Sequence, residues 1–177
     1  QVDALQGKPL PADPMLAEEL QWQPGWDWAL YGPLVRWGLA VPQRLLTANL
    51  DRDELMAFYR DPSSDVSGYP ASARAKLERI IIASHCDLIE ASQVAPMLRI
   101  QQARDLRMGQ ALATAPAPAL LIAGAYHGRR DLGVPLHWDG QWGAAPVVVL
   151  LSEAGSPLPG LEQADFVWLA PGLPEQD

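Results

Sequence analysis

Tyr126, His127, Arg129 and Arg130 stand within five residues of one another, directly after the apolar run ALLIAGA. A phenol oxygen is a hard donor that suits ferric iron, and neighbouring positive charge lowers the phenol pKa from about 10 and favours the anionic ligand. Arginine and histidine suit carboxylates and other anions through charge-assisted hydrogen bonds. Gly124 and Gly128 flank the group, and small residues let a ligand or another backbone come close. The same composition also describes a solvated surface loop, and residue type alone does not separate the two readings.

What must position these residues is a strand and its neighbours. ALLIAGAY is almost continuously apolar, which predicts a strand covered on both faces, as in a parallel sheet with helices on either side. In such sheets ligands gather beyond the carboxyl ends of the strands, where the YHGRR stretch would lie. Further strands are expected in RLLTANL (44–50), APVVVLLSE and DFVWLA, with VPLHW as an edge segment, an Asp139-Gly140 turn and an antiparallel or mixed edge. Residues 1–14 read as a lead-in, and two helical pieces follow from Met15, broken at Pro24-Gly25 and bent or restarted near Pro33. Asp51 and its acidic successors open a helix, 61–70 is loop, and a helix starts after Pro70. Another runs from about Ser92 to Ala113, with Pro96 tolerated in a first turn. The order is that of an α/β fold, yet no convincing strand precedes residue 44, so the sheet is either small or joined by strands outside the chain.

Other side chains carry weaker signals. His85 and Cys86, in ASHCD, are expected to pack as ordinary core or interface groups. His137 reads as an edge residue beside Trp138, and the tryptophans at 22, 26 and 28, with Tyr31, read as packing. Gln101, Arg104, Asp105 and Arg107 put charge of both signs on one helix, which a solvated face explains. No GxSxG, P-loop, GxGxxG or HExxH occurs, so the common nucleophile, nucleotide and zincin chemistries lack their sequence basis.

Composition narrows the classes further. The chain has 177 residues, 49% of them hydrophobic, enough for one domain, 1–177, with room for a small lobe. A net charge of -8 repels phosphate backbones and argues against nucleic acid as a partner. One cysteine makes neither an internal disulfide nor a CxxC pair. No apolar run approaches the ~20 residues of a membrane helix, and the first residues lack the order of a signal peptide, so the chain as given is expected to be soluble. It begins without a methionine, which suggests processing or truncation.

Several stretches together resemble the ChaN-like family of iron-regulated, haem-binding bacterial lipoproteins. They are QWQPGWDWALYGPLVRWGLA with a strand ending in ANL, ASHCD with MLRIQQARDLRMGQAL, then LLIAGAYHGRRDLGVPLH and VVVLLSE, covering about residues 15–152. The resemblance implies a mostly parallel sheet flanked by helices, with a small helical lobe over about 51–113. It also implies a homodimer enclosing two face-to-face haems, each iron held by one tyrosine, with a histidine and a basic residue of the other subunit on the propionates. Tyr126 is the expected iron ligand, with Tyr69 and Tyr59 as alternatives. His127 and Arg130 are the expected propionate partners, with His85 and Arg129 behind them. Family members open with a Gly-Glu-x-His strand and a second strand ending in Glu-Met. Neither occurs here, so the chain is expected to begin inside the family's domain, the lipid-bearing cysteine lost with those strands.

Haem binding in bacterial haem or iron uptake is therefore the expected function. The full-length form would lie in the cell envelope, lipid-anchored to the outer membrane or periplasmic, with an outer-membrane haem receptor as a further partner. The alternative is a metal-dependent hydrolase of the erythromycin-esterase-like superfamily, with His127 as general base or ligand. A third reading is assembly with a receptor or transporter through the tryptophan-rich face.

Overall fold

A computed structural model describes residues 1–41, 44–63, 67–86, 88–138 and 142–172. The expected Asp139-Gly140 turn lies outside the described residues. The chain forms an α/β fold that divides into two compact units, Gln1–Thr47 and Ala48–Asp177.

The first unit holds Val2–Leu5 (α1), Asp13–Glu19 (α2) and Trp28–Ala40 (α3). Leu5, Leu16 and Leu39 form its buried core, with Val35 and Leu45 packed against them. The lead-in is thus less loose than its sequence suggests. The Gln6 side chain donates to the Leu39 carbonyl at 2.9 Å and accepts from Leu45 N at 2.8 Å, tying it to the end of α3. Asp27 caps α3, which runs through Pro33 without restarting. Trp22, Trp26, Trp28 and Tyr31 pack edge to face or tilted on one another, with ring centroids 5.0–6.2 Å apart.

In the second unit, the acidic turn at residue 51 does what its composition predicts. Asp51 Oδ1 accepts from Glu54 N and Glu54 Oε2 from Asp51 N, both at 2.9 Å, a reciprocal cap that starts Arg52–Arg60 (α4). Ala71–Ser84 (α5) follows Pro70, and Ala91–Thr114 (α6) opens on a Glu90–Gln93 cap. Pro96 therefore sits in the second turn of α6, not the first. Tyr69, Ala73 and Leu77 meet Val94 and Leu98 of α6, and Leu132 closes this core.

The strand expectations need correction. RLLTANL and ALLIAGAY form no strand among the described residues, and Leu120 and Ile122 are exposed instead of covered. An apolar run becomes a strand only where a neighbour completes its hydrogen bonds, and the described residues place none beside either run. Ala125–Gly128, the end of the expected strand and the start of the polar stretch, is a short helix (α7). VPLHW is likewise no edge strand: Val134–His137 is a 3-10 turn, with a proline in its first positions. Val149–Glu153 (β1) and Phe166–Ala170 (β2) do form, and they pair in parallel, with Val149 opposite Phe166 and Glu153 opposite Ala170. The expected antiparallel or mixed edge is absent from the described residues because the chain between the two strands is long enough to return to the same end.

No helix among the described residues is long and apolar enough to cross a membrane.

Candidate functional site

On α6, Val94, Leu98, Gln101, Asp105 and Met108 recur at spacings of four and three, which puts them on one helical face. Four of these are buried, and Asp105 is 0% exposed. The charge pattern had suggested a solvated face; the spacing from Leu98 is the signal that places Asp105 in the core instead. A buried carboxylate costs several kcal/mol unless its oxygens are hydrogen-bonded. Here both are: Tyr69 Oη donates to Oδ2 at 2.6 Å, and His127 Nδ1 lies 2.5 Å from Oδ1.

The cluster has further members. The Gln101 amide nitrogen lies 3.0 Å from His127 Nδ1. His137 Nε2 lies 3.7 Å from Asp105 Oδ2, beyond hydrogen-bond distance, and its ring meets Tyr69 edge-on with centroids 4.8 Å apart. His137, read from sequence as an edge residue, is in fact buried at the core because the 3-10 turn swings it inward. Arg104, beside Asp105, is half-buried; desolvation lowers its pKa against the pull of the Asp105 charge, and its Nε has no hydrogen-bond partner among the described residues. Burial first, then the charge and hydrogen bond of Asp105, push the Tyr69 phenol far above its ordinary range. A phenol so placed keeps its proton.

The YHGRR residues split between this cluster and the surface. His127 points inward to Asp105, whereas Tyr126 is 48% exposed. Arg129 grips Asp131 through Nε and Nη2, both at 2.8 Å, and Lys76 of α5 reaches the same carboxylate at 3.1 Å. Those hydrogen bonds hold the Arg129 guanidinium above its usual range against partial burial, and the charges of Asp131, Tyr126 and Glu162 add to the hold. Arg130 Nη1 donates to Asp165 Oδ1 at 2.7 Å, and the other oxygen of Asp165 accepts from Val148 N at 2.8 Å. Gly133 makes this turn possible: a Cβ there would lie 2.0 Å from the His127 carbonyl oxygen. Gly124 and Gly128 have only ordinary contacts at 3.8–4.0 Å.

The other sequence candidates lie elsewhere. His85 is exposed at the end of α5, its Nδ1 2.8 Å from the Ile81 carbonyl. Cys86, expected in the core, is exposed with φ 54. Such a conformation turns the chain out of α5 and carries the thiol with it. Tyr59 is half-buried on α4, where its carbonyl accepts from Arg99 Nη2 at 3.1 Å.

Residues 3–137, which include Tyr69, Asp105, Tyr126, His127 and Arg130 but not Asp165, match the family model described as "Haem-binding uptake, Tiki superfamily, ChaN". The chain belongs to this ChaN-like family. It is also similar to a solved structure described as cofacial heme binding to ChaN of Campylobacter jejuni, with a TM-score of 0.69 and 27% sequence identity. That likeness covers 94% of this chain and 64% of the Campylobacter chain, so the ChaN-like segment here spans less than two thirds of its structural relative. No curated protein matches the chain.

Proposed function

We propose that this ChaN-like protein binds haem in bacterial haem or iron uptake, with the iron on the phenol oxygen of Tyr126. The observation that carries the reading is the contrast between two tyrosines: Tyr69 is buried with its proton committed to Asp105, whereas Tyr126 is half-exposed within reach of the Arg129 charge. A phenol that is to meet a haem iron must be open to approach, and Tyr126 is half-exposed where Tyr69 is buried. The donor set thus fits ferric haem, whose iron supplies the electron-pair acceptor when bound.

Arg130 suits the propionates better than Arg129. Its ion pair with Asp165 is half-exposed, and such a pair contributes about 0–1 kcal/mol, so exchanging Asp165 for a propionate costs little. Arg129 is held by two hydrogen bonds to Asp131 and keeps the turn in shape. His85, just past the end of α5, is a weaker propionate candidate, and Tyr59, on α4, a weaker candidate for the iron. The cofacial arrangement described for the Campylobacter protein favours a homodimer enclosing two haems, one per subunit. Residues 51–113 act as a helical lobe within one domain, and the full-length protein sits in the cell envelope, where an outer-membrane haem receptor is its partner.

Ferric haem titrated into the protein is expected to give a saturable high-spin spectrum. Tyr126→Phe is expected to raise the Kd at least about tenfold, equivalent to about 1.4 kcal/mol, while Tyr69→Phe and Tyr59→Phe keep the spectrum. Sedimentation of the loaded protein should show a dimer whose population rises with haem. An unchanged spectrum and affinity in Tyr126→Phe would overturn the assignment of the ligand.

A further inference from the structure

A carboxylate only accepts hydrogen bonds, so the 2.5 Å contact between Asp105 Oδ1 and His127 Nδ1 requires the proton on Nδ1. Gln101 then meets the same nitrogen through its amide oxygen, a half-turn of the amide that leaves the contact in place. The other oxygen of Asp105 is filled by Tyr69, so this carboxylate cannot swing toward a different partner without stranding a buried hydroxyl. His127 Nε2 makes no hydrogen bond among the described residues, and its ring is not sealed from solvent, the side chain being 15% exposed.

The geometry points to Asp105 as a positioning residue that fixes the imidazole of His127 with Nδ1 protonated and Nε2 offered outward as an electron-pair donor. This rests on the haem-binding reading for the identity of the ligand, though not for the tautomer. An Nε2 atom without a hydrogen accepts a hydrogen bond but has none to give. An ionised propionate, which only accepts, is then the business of Arg130. Carboxylates that orient a histidine in this way set its tautomer and ring angle.

The test is long-range proton–nitrogen correlation on the whole chain labelled with 15N-histidine, His127 being assigned through His127→Gln. The wild type is expected to show His127 with a strongly hydrogen-bonded Nδ1 proton and an unprotonated Nε2. Asp105→Asn should shift the population toward Nε2–H. Tyr69→Phe, which removes the other hydrogen bond of the same carboxylate, should leave the tautomer as it is. A wild-type spectrum with a proton on Nε2, whether alone or together with one on Nδ1, overturns the inference, and so does an Asp105→Asn spectrum identical to the wild type. Should Asp105→Asn fail to fold, the wild-type spectrum still decides. Haem that fails to bind a protein with the expected tautomer overturns the proposed function and leaves the role of Asp105 standing; haem that binds a protein with the opposite tautomer does the reverse.

Discussion

Tyr69 and Asp105, 36 residues apart, share a 2.6 Å hydrogen bond inside the core between α5 and α6. Burial, followed by the neighbouring charge, raises the phenol above its unfolded value near 10. A raised folded pKa means the native state holds the proton longer than the unfolded chain does. Its stability is therefore intact below about pH 10 and falls as pH rises beyond that. Chemical unfolding between pH 8 and 11 should show this decline, flattened in Tyr69→Phe. That variant should also lose about 1–3 kcal/mol at pH 7, since it strands one oxygen of a buried carboxylate.

Asp131 gives the opposite slope. Hydrogen bonds from Arg129, and then Lys76, outweigh partial burial and hold its carboxyl below the ordinary value of 3.8. A depressed folded pKa supplies stability above the unfolded pKa, and that stability is lost as pH falls through the folded one. Acid unfolding of Asp131→Asn followed by circular dichroism should therefore depend less on pH below about 4 than wild type does. Equal slopes in the two proteins would remove the Arg129–Asp131–Lys76 group from the account of acid stability.

Gly133 and Gly128 make a paired comparison within one turn. A Cβ at 133 would fall 2.0 Å from the backbone oxygen of His127, whereas at 128 it meets only Leu150 at 3.8 Å. Gly133→Ala should destabilise by about 1–3 kcal/mol or more, because backbone has to move. Gly128→Ala should stay within about 1 kcal/mol of wild type. Thermal melts of the two variants check both values, and equal melting temperatures would contradict the close packing of the turn.

Leu98 anchors α6 at 0% exposure among Tyr69, Leu77 and Leu132. Leu98→Ala is expected to cost about 2–5 kcal/mol in urea unfolding, with the denaturant dependence unchanged.

Local chemistry made part of this fold legible. The acidic turn at Asp51, Pro70 before α5 and the periodicity of α6 all act within a few residues, and each produced the helix its sequence announces. The misreadings concern partners distant along the chain. Asp105 looks like a surface charge until Tyr69 and His127 are brought to it, although its spacing from Leu98 already placed it on the apolar face. His137 alternates like an edge strand, and only the 3-10 turn after Gly133 carries it inside. The ALLIAGAY run has the composition of a buried strand, but composition does not supply a neighbour. In the candidate site, residue types marked Tyr126, His127 and the arginines; the direction in which each side chain turns belongs to the folded chain.

Asp165 fastens this turn from the outside as Asp105 does from the inside, one oxygen on Arg130 and the other on the backbone entering β1. His127 and Arg130 are thereby the two anchored side chains of the turn, with only Gly128 and Arg129 between them. An extra residue spliced in between His127 and Arg130 would throw one anchor out of register, whereas a residue added near the exposed Ser156 would disturb neither. Length variation among relatives should accordingly collect in the crossover between β1 and β2 and spare the recognition turn.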